Sequence, residues 1–344
     1  MNPTPNSLSF CWQADANEVW GNSENIFRVT NKKMGQTQHD DRKVIWTIGG
    51  GKGGSGKSFI TANIGVCLSK SGARVILVDA DLGGANLHTF LGISRPALSL
   101  SDFIKKRVSN LHEVLIPTGI PNLQLLTGAQ DLINAADAKN VQRQKILRSI
   151  NSLESDYILI DLGGGSALSV LDFFLMSDGG ILIMIPEPTS IENTYRFLKS
   201  AFYRRLRQSI TSYPVKELID GAMDLKNEMG IKNPHDLIDA VKKVDEEAAR
   251  MLVEEIKAFR PNLILNQVWT KKDVEIGFAI QSACQKYFGI HLHYLGYIVY
   301  DQDVGNSVRR RRPLVLENAK SRAAQCVMEI ASKLANRHQM PFKF

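Results

Sequence analysis

Val44-Ile45-Trp46-Thr47-Ile48, followed at once by Gly49-Gly50-Gly51-Lys52-Gly53-Gly54-Ser55-Gly56-Lys57-Ser58, decides the fold. A short continuous apolar run of this kind is a strand buried on both faces. The glycine loop after it opens a helix over residues 58–70, apolar at Ile60, Ile64, Val66 and Leu68. Gly51, Gly56, Lys57 and Ser58 fit the pattern G-x-x-x-x-G-K-[ST]. In that pattern the backbone from Gly51 through Lys52, Gly53, Gly54, Ser55 and Gly56 closes around phosphates at a helix N-terminus. Lys57 reaches the β- and γ-phosphates, and the Ser58 hydroxyl ligates Mg²⁺.

Two more apolar runs end in acid. Arg74-Val75-Ile76-Leu77-Val78-Asp79 continues to Asp81, and Tyr157-Ile158-Leu159-Ile160-Asp161 runs into Gly163-Gly164-Gly165. Strand C-termini are where open α/β sheets bind ligands. Asp79 and Asp81, two residues apart, leave the strand end in a similar direction; the competing reading makes either one a cap of a short helix near Ala85. Asp161 has the form of a Walker B aspartate, which holds Mg²⁺ through a water ahead of a glycine-rich switch. Strands ending in Asp79, Asp161, Ile185, Asn266 and Asp301, alternating with helices, predict an α/β fold: a doubly wound, mostly parallel sheet flanked by helices.

The 344 residues are 44% apolar, enough for a sizeable core, and the net charge of +7 permits an acidic partner without requiring one. No stretch has the roughly 18–20 apolar residues of a membrane span. Residues 1–43 lack a signal-peptide core, and the four cysteines, Cys11, Cys67, Cys284 and Cys326, form no C-x-x-C. A cytoplasmic setting is expected, with no zinc or iron–sulfur site on a local motif. Residues 1–43 are expected to be an arm that is disordered or orders on a partner, since few apolar groups offset the ordering cost. Its aromatic residues Phe10, Trp12, Trp20 and Phe27 suit either a docking segment or a tail packed on its own domain.

The stretch Lys52-Gly53-Gly54-Ser55-Gly56-Lys57-Ser58 resembles the deviant Walker A motif, K-G-G-x-G-K-[ST], of the MinD/ParA family of P-loop ATPases (SIMIBI-type). The nearest resemblance is to its MinD-like and flagellar-number-regulating (FlhG/FleN-like) members. It covers residues 44–206 and 262–334. The resemblance implies ATP and Mg²⁺ as ligands and an ATP-dependent homodimer in which Lys52 contacts the phosphates of the partner subunit's ATP. Asp79-Ala80-Asp81-Leu82-Gly83-Gly84-Ala85-Asn86-Leu87 is similar to the family's switch I, which gives Asp81 the water-orienting role and Asp79 a place in the Mg²⁺ shell. By the same resemblance Asn266 reads adenine and Asp301 lies in the loop beside the base. Two positions depart from the family: Gly164 stands where alanine is usual, and Val299 where proline is usual. Pro186-Glu187-Pro188-Thr189 resembles a turn near the dimer interface, with Thr189 or Ser190 expected to cap the next helix.

Residues 209–261 fall outside the resemblance. Their helical spacing predicts two helices, 215–229 and 234–259, forming a hairpin that protrudes from the domain and is either a lid on its own domain or a partner surface. Arg204-Arg205-Arg207 and Arg309-Arg310-Arg311-Arg312 are solvated helix faces, or sites for non-specific DNA or an acidic surface. The short tail 338–344 is too brief for a membrane-targeting helix, so peripheral membrane contact has little support in the sequence. The expected function is an ATP-hydrolysing dimerisation switch for spatial positioning of a division site, flagellum, chromosome or other cargo. The alternatives are a nucleotide-dependent binding platform with vestigial hydrolysis and an ATP-dependent metabolic or metal-carrier protein.

Overall fold

Eight strands form one sheet: β1 (Val44–Gly49), β2 (Val75–Ala80), β3 (Leu115–Pro117), β4 (Leu123–Leu126), β5 (Tyr157–Leu162), β6 (Ile181–Met184), β7 (Asn262–Val268) and β8 (His293–Val299). They appear in a computed structural model that describes residues 43–337 apart from 82, 83, 85, 95, 97, 129–145, 147, 178, 179, 224–228 and 232. The order is β3-β4-β2-β5-β1-β6-β7-β8. Only β3 runs antiparallel, against β4 at one edge. The expected arm and the 338–344 tail lie outside the described residues, as do three positions of the Asp79–Leu87 segment.

The two faces of the sheet divide the core by alternation. Ile45, Ile76, Val78, Ile158 and Ile160 point into one cluster, and Val44, Trp46, Ile48, Val75, Leu77 and Leu159 into the other. This period of two, with both sides apolar, is what parallel strands covered on both faces require. The Lys57–Lys70 and Arg322–Arg337 helices cover the second face through Ile60, Ile64, Val327 and Ile330. The Pro188–Ser209 helix covers the first through Phe197, Phe202 and Leu206.

The insertion differs from its expected form. Its second helix is two, Pro234–Lys242 and Glu246–Ala258. Asp245 accepts a hydrogen bond from Ala248 N at 2.9 Å, and Glu246 and Glu247 fill the first turn, so a new helix starts there. Val244, counted in the apolar stripe, is 55% exposed. Nor does the insertion protrude. Val215, Ile219, Leu237, Val241, Leu252 and Ile256 are buried in the same core cluster as the Pro188–Ser209 helix. The first arginine cluster fastens it: Arg205 Nε donates to Glu255 Oε2 at 2.7 Å and Arg207 Nε to Asp220 Oδ1 at 2.8 Å. Arg204 Nε donates to Asp172 Oδ1 at 2.6 Å on the preceding helix. Among the described residues no helix is long and apolar enough to cross a membrane.

If the insertion is core, Leu252→Ala lowers the stability of the whole domain by about 2–5 kcal/mol, in a single urea transition. A separate early transition confined to the insertion would contradict this packing.

Candidate functional site

The loop after β1 is pressed against its surroundings on one side and open on the other. A Cβ on Gly50 would lie 2.7 Å from Ile183 O, and one on Gly51 2.0 Å from Asn193 O; at Gly53 and Gly54 nothing lies within 4 Å. Gly56 has φ +93° and caps the Lys57–Lys70 helix, whose first turn holds no acidic side chain. Its N–H groups and dipole are therefore left to an anion. The Lys52 carbonyl accepts from Lys57 Nζ at 3.2 Å and from Ser55 Oγ at 3.4 Å. Burial pulls the Lys57 ammonium below the ordinary lysine range, opposed by Asp161 and Asp81.

The neighbouring carboxylates come from pairing. Asp79 and Asp161 are partners in the β2–β5 register, and Ile48 of β1 is the partner of Asp161. Both carboxyls are shut off from water, at 0% and 1% exposure. Asp79 accepts from Leu87 N at 2.9 Å and from Asp81 N at 3.2 Å. Burial pushes Asp79 up to about 7, against these backbone donors. Asp161 rises to about 8 through burial and then the nearby Asp79, with the Ser58 hydroxyl and Lys57 pulling the other way. Asp81 is half-buried, and a Cβ on Gly163 would lie 2.9 Å from its Oδ1.

This donor set fits Mg²⁺: two buried, under-compensated carboxylates and a hydroxyl are hard oxygen ligands. Among the described residues no group of three or more His, Cys, Asp or Glu is placed to hold a metal unaided. An ion that keeps waters and takes its remaining oxygens from phosphate suits that shortage.

Gly164 has a local reason to lack a side chain. A Cβ there would lie 3.0 Å from Gly53 N and 3.4 Å from the Lys52 carbonyl carbon, so the switch rests directly on the phosphate loop. Asn266 reaches the same loop from the other side, its Nδ2 donating to Ser55 O at 2.9 Å. The register shift between Leu265 and Val268 and the left-handed Gln267, φ +56°, turn Asn266 inward. A bulge that re-aims a side chain is a recurrent device beside active sites. Asp301 follows β8 and has a structural task of its own. It caps helix starts, accepting from Asp303 N at 2.9 Å and Ala323 N at 3.1 Å. Val299 continues the β7–β8 ladder opposite Val268.

Lys52 is half-exposed. Its Nζ lies 2.9 Å from Glu187 Oε2 and 3.3 Å from Thr189 Oγ1, a partnership the sequence reading missed although the turn was singled out. The helix after that turn begins at Pro188, so Thr189 and Ser190 lie inside its first turn, and Ser190 Oγ accepts from Ile185 N instead of capping. In the second arginine cluster Arg310 and Arg312 pair with Glu317.

Residues 41–212 match the ParA family model, described as a NUBPL iron-transfer P-loop NTPase. The chain is 31% identical over 159 residues to the antiactivator FleN of Pseudomonas aeruginosa, covering 45% of this chain and 55% of that protein. Identity to the flagellum site-determining protein YlxH of Helicobacter pylori is 31% over 187 residues, covering 51% and 59%. To the septum site-determining protein MinD of the same organism it is 31% over 156 residues, covering 44% and 57%. The chain thus spans little more than half the length of the curated relatives it matches. The fold is that of Pyrococcus horikoshii MinD complexed with Mg-ADP: TM-score 0.58 at 21% identity, covering 86% of this chain and 98% of that one.

Carboxyls whose folded values lie above the unfolded ones keep protons that the unfolded chain releases, so stability falls as pH rises from about 4 through about 8. Urea midpoints of the nucleotide-free protein in EDTA are expected to drop across that window. The drop is shallower in Asp161→Asn; equal slopes would contradict the buried-pair electrostatics.

Proposed function

The chain belongs to the ParA family of P-loop NTPases, and we propose that it is an ATP-binding, ATP-hydrolysing dimerisation switch that positions a cellular structure. The observation that carries this reading is Lys52: a half-exposed lysine on the rim of the phosphate loop, paired only loosely across the surface with Glu187. An exposed pair of this kind contributes about 0–1 kcal/mol, so Lys52 is easily released to another anion. The names of FleN, MinD and YlxH, an antiactivator and two site-determining proteins, support the positioning role. No pair of cysteines is spaced C-x-x-C in the sequence, which argues against a metal-carrier role.

The chain's own groups divide the work. Backbone N–H groups from Gly51 to Ser58 and the Lys57 ammonium hold the β- and γ-phosphates of ATP. Ser58, Asp79 and Asp161 would hold Mg²⁺, which when bound neutralises charge on the phosphate oxygens. Asp81 accepts a hydrogen bond from a water and aligns it with the γ-phosphorus. The water oxygen bonds to phosphorus, the bond to the ADP oxygen breaks, and phosphate departs carrying the proton that the water gives up to its oxygens. Lys52 of each subunit, leaving Glu187, meets the phosphates held by the other. Shifting a dimer equilibrium from 1:99 to 99:1 takes about 5.5 kcal/mol; two reciprocal charge-assisted hydrogen bonds at about 1.5–3 kcal/mol each supply most of it. Turnover without a partner is slow, since the residues assigned to the site contribute positioning and no arginine finger.

The protein partner falls to the 1–43 arm or the outer side of the insertion. Non-specific DNA or a peripheral membrane contact would use Arg309–Arg312, where Arg310 and Arg312 share Glu317 yet keep side chains 69% and 67% exposed, against 23%, 25% and 49% for Arg204, Arg205 and Arg207 on their own carboxylates. The setting is cytoplasmic.

Phosphate release and sedimentation test the switch together. Asp81→Ala is expected to lose hydrolysis while keeping an ATP-dependent dimer. Lys57→Ala weakens ATP binding by about 100-fold or more, the loss of two charge-assisted hydrogen bonds. A wild-type protein that binds ATP and never hydrolyses it, at any protein concentration, would reduce the switch to a binding platform.

A further inference from the structure

The ends of β7 and β8 carry an aromatic pair that the phosphate site does not use. The rings of Trp269 and Tyr300 stack with centroids 3.9 Å apart and planes 17° from parallel, yet Trp269 is 65% exposed and Tyr300 46%. Their backbones are fixed. Trp269 N and Thr270 N both donate to Asp273 Oδ2 at 2.9 Å, and Thr270 caps the Lys271–Phe288 helix. Tyr300 N donates to Val268 O at 2.9 Å, and the next residue, Asp301, caps two helix starts. The result is a stacked two-ring wall on a fixed backbone, with an open outer surface.

Sheet order says what this wall faces. The loop after β1 has β5 and β2, with Asp161, Asp79 and Asp81, on one side, and β6, β7 and β8 on the other. A nucleotide whose terminal phosphate meets the carboxylates must lay its nucleoside toward β7 and β8. Asn266, whose side chain donates to the phosphate loop, marks that path, and Trp269 lies three residues beyond it. One N–H of the Asn266 amide is held by Ser55 O, so edge recognition of a base has fewer donors there than a free amide gives.

We propose that Trp269 and Tyr300 form the stacking wall for the purine base of the nucleotide bound at the phosphate loop, in addition to the Asn266 edge contact that the family resemblance already implies. The proposal rests on the nucleotide-binding reading above. Every base has a π-face and stacks on an exposed aromatic ring at a cost in desolvation much smaller than that of a buried polar contact. Val299 in the β8 ladder brings Tyr300 to the end of the strand, level with the start of the Trp269 loop.

Titration calorimetry of the full chain with Mg-ADP and with inorganic tripolyphosphate separates base from phosphate. Trp269→Ala is expected to weaken ADP by about 5- to 150-fold and to leave tripolyphosphate unchanged. Trp269→Phe restores most of the loss, and Tyr300→Ala shows a smaller loss of the same kind. Equal ADP affinity in wild type and Trp269→Ala overturns the wall while leaving the nucleotide site standing. Parallel losses for ADP and tripolyphosphate also overturn it, since the substitution then acts on the phosphate loop. A wild-type chain that binds neither ligand overturns the nucleotide reading itself.

Discussion

Asp79 and Asp161 are held side by side out of water, and the head of the sheet is arranged around that burden. Burying one carboxylate is costly, and burying two in contact costs more unless protons or a cation accompany them. The register of three adjacent strands sets Ile48, Asp161 and Asp79 in one row. The phosphate loop therefore leaves β1 at the level where the two acids end. Backbone donors from Leu87 and Asp81 serve one acid; the Ser58 hydroxyl and the Lys57 ammonium serve the other. The compensation is incomplete, which leaves the pair raised and ready for a divalent ion.

Two lysines of one loop have opposite settings, and function divides between them. Lys57 is buried at 7% exposure, close to the acids and hydrogen-bonded inside its own loop. In the proposed switch its charge serves the phosphates of its own subunit. Lys52 stands on the rim, with a partner on a neighbouring turn that water can replace. A buried ammonium is a fixed part of a cradle; a rim ammonium is a movable contact. The close approach of Gly164 to Gly53 joins the glycine segment after β5 to the segment that carries Lys52, and in the proposed switch this contact is the route from the γ-phosphate to the second lysine.

What could be read in the sequence was what local physics dictates. The apolar runs of β1, β2 and β5 and the glycines between Gly49 and Gly56 each have one sensible structure, and they placed Lys57, Ser58, Asp79 and Asp161 together. The short β3 and β4 gave no comparable signal, because three or four residues carry too little pattern. The break before Asp245 was legible in the Asp-Glu-Glu start of the next helix but was hidden by the continuous apolar stripe around it. Long-range partnerships were not legible at all. Nothing local says that Arg205 and Arg207 hold the insertion, that Glu187 meets Lys52, or that Asp301 caps two helices. Trp269 and Tyr300 are brought together only by β7–β8 pairing.

The central claim is that Lys52 couples ATP to the joining of two subunits. Light scattering of the purified protein's mass with Mg²⁺ plus ATP, with ADP or with no nucleotide, alongside Lys52→Ala, tests it most directly. The account predicts a mass that doubles only with ATP and fails to double in Lys52→Ala, although that variant still binds ATP. A mass that ignores nucleotide, or a Lys52→Ala variant that doubles like the wild type, would contradict it.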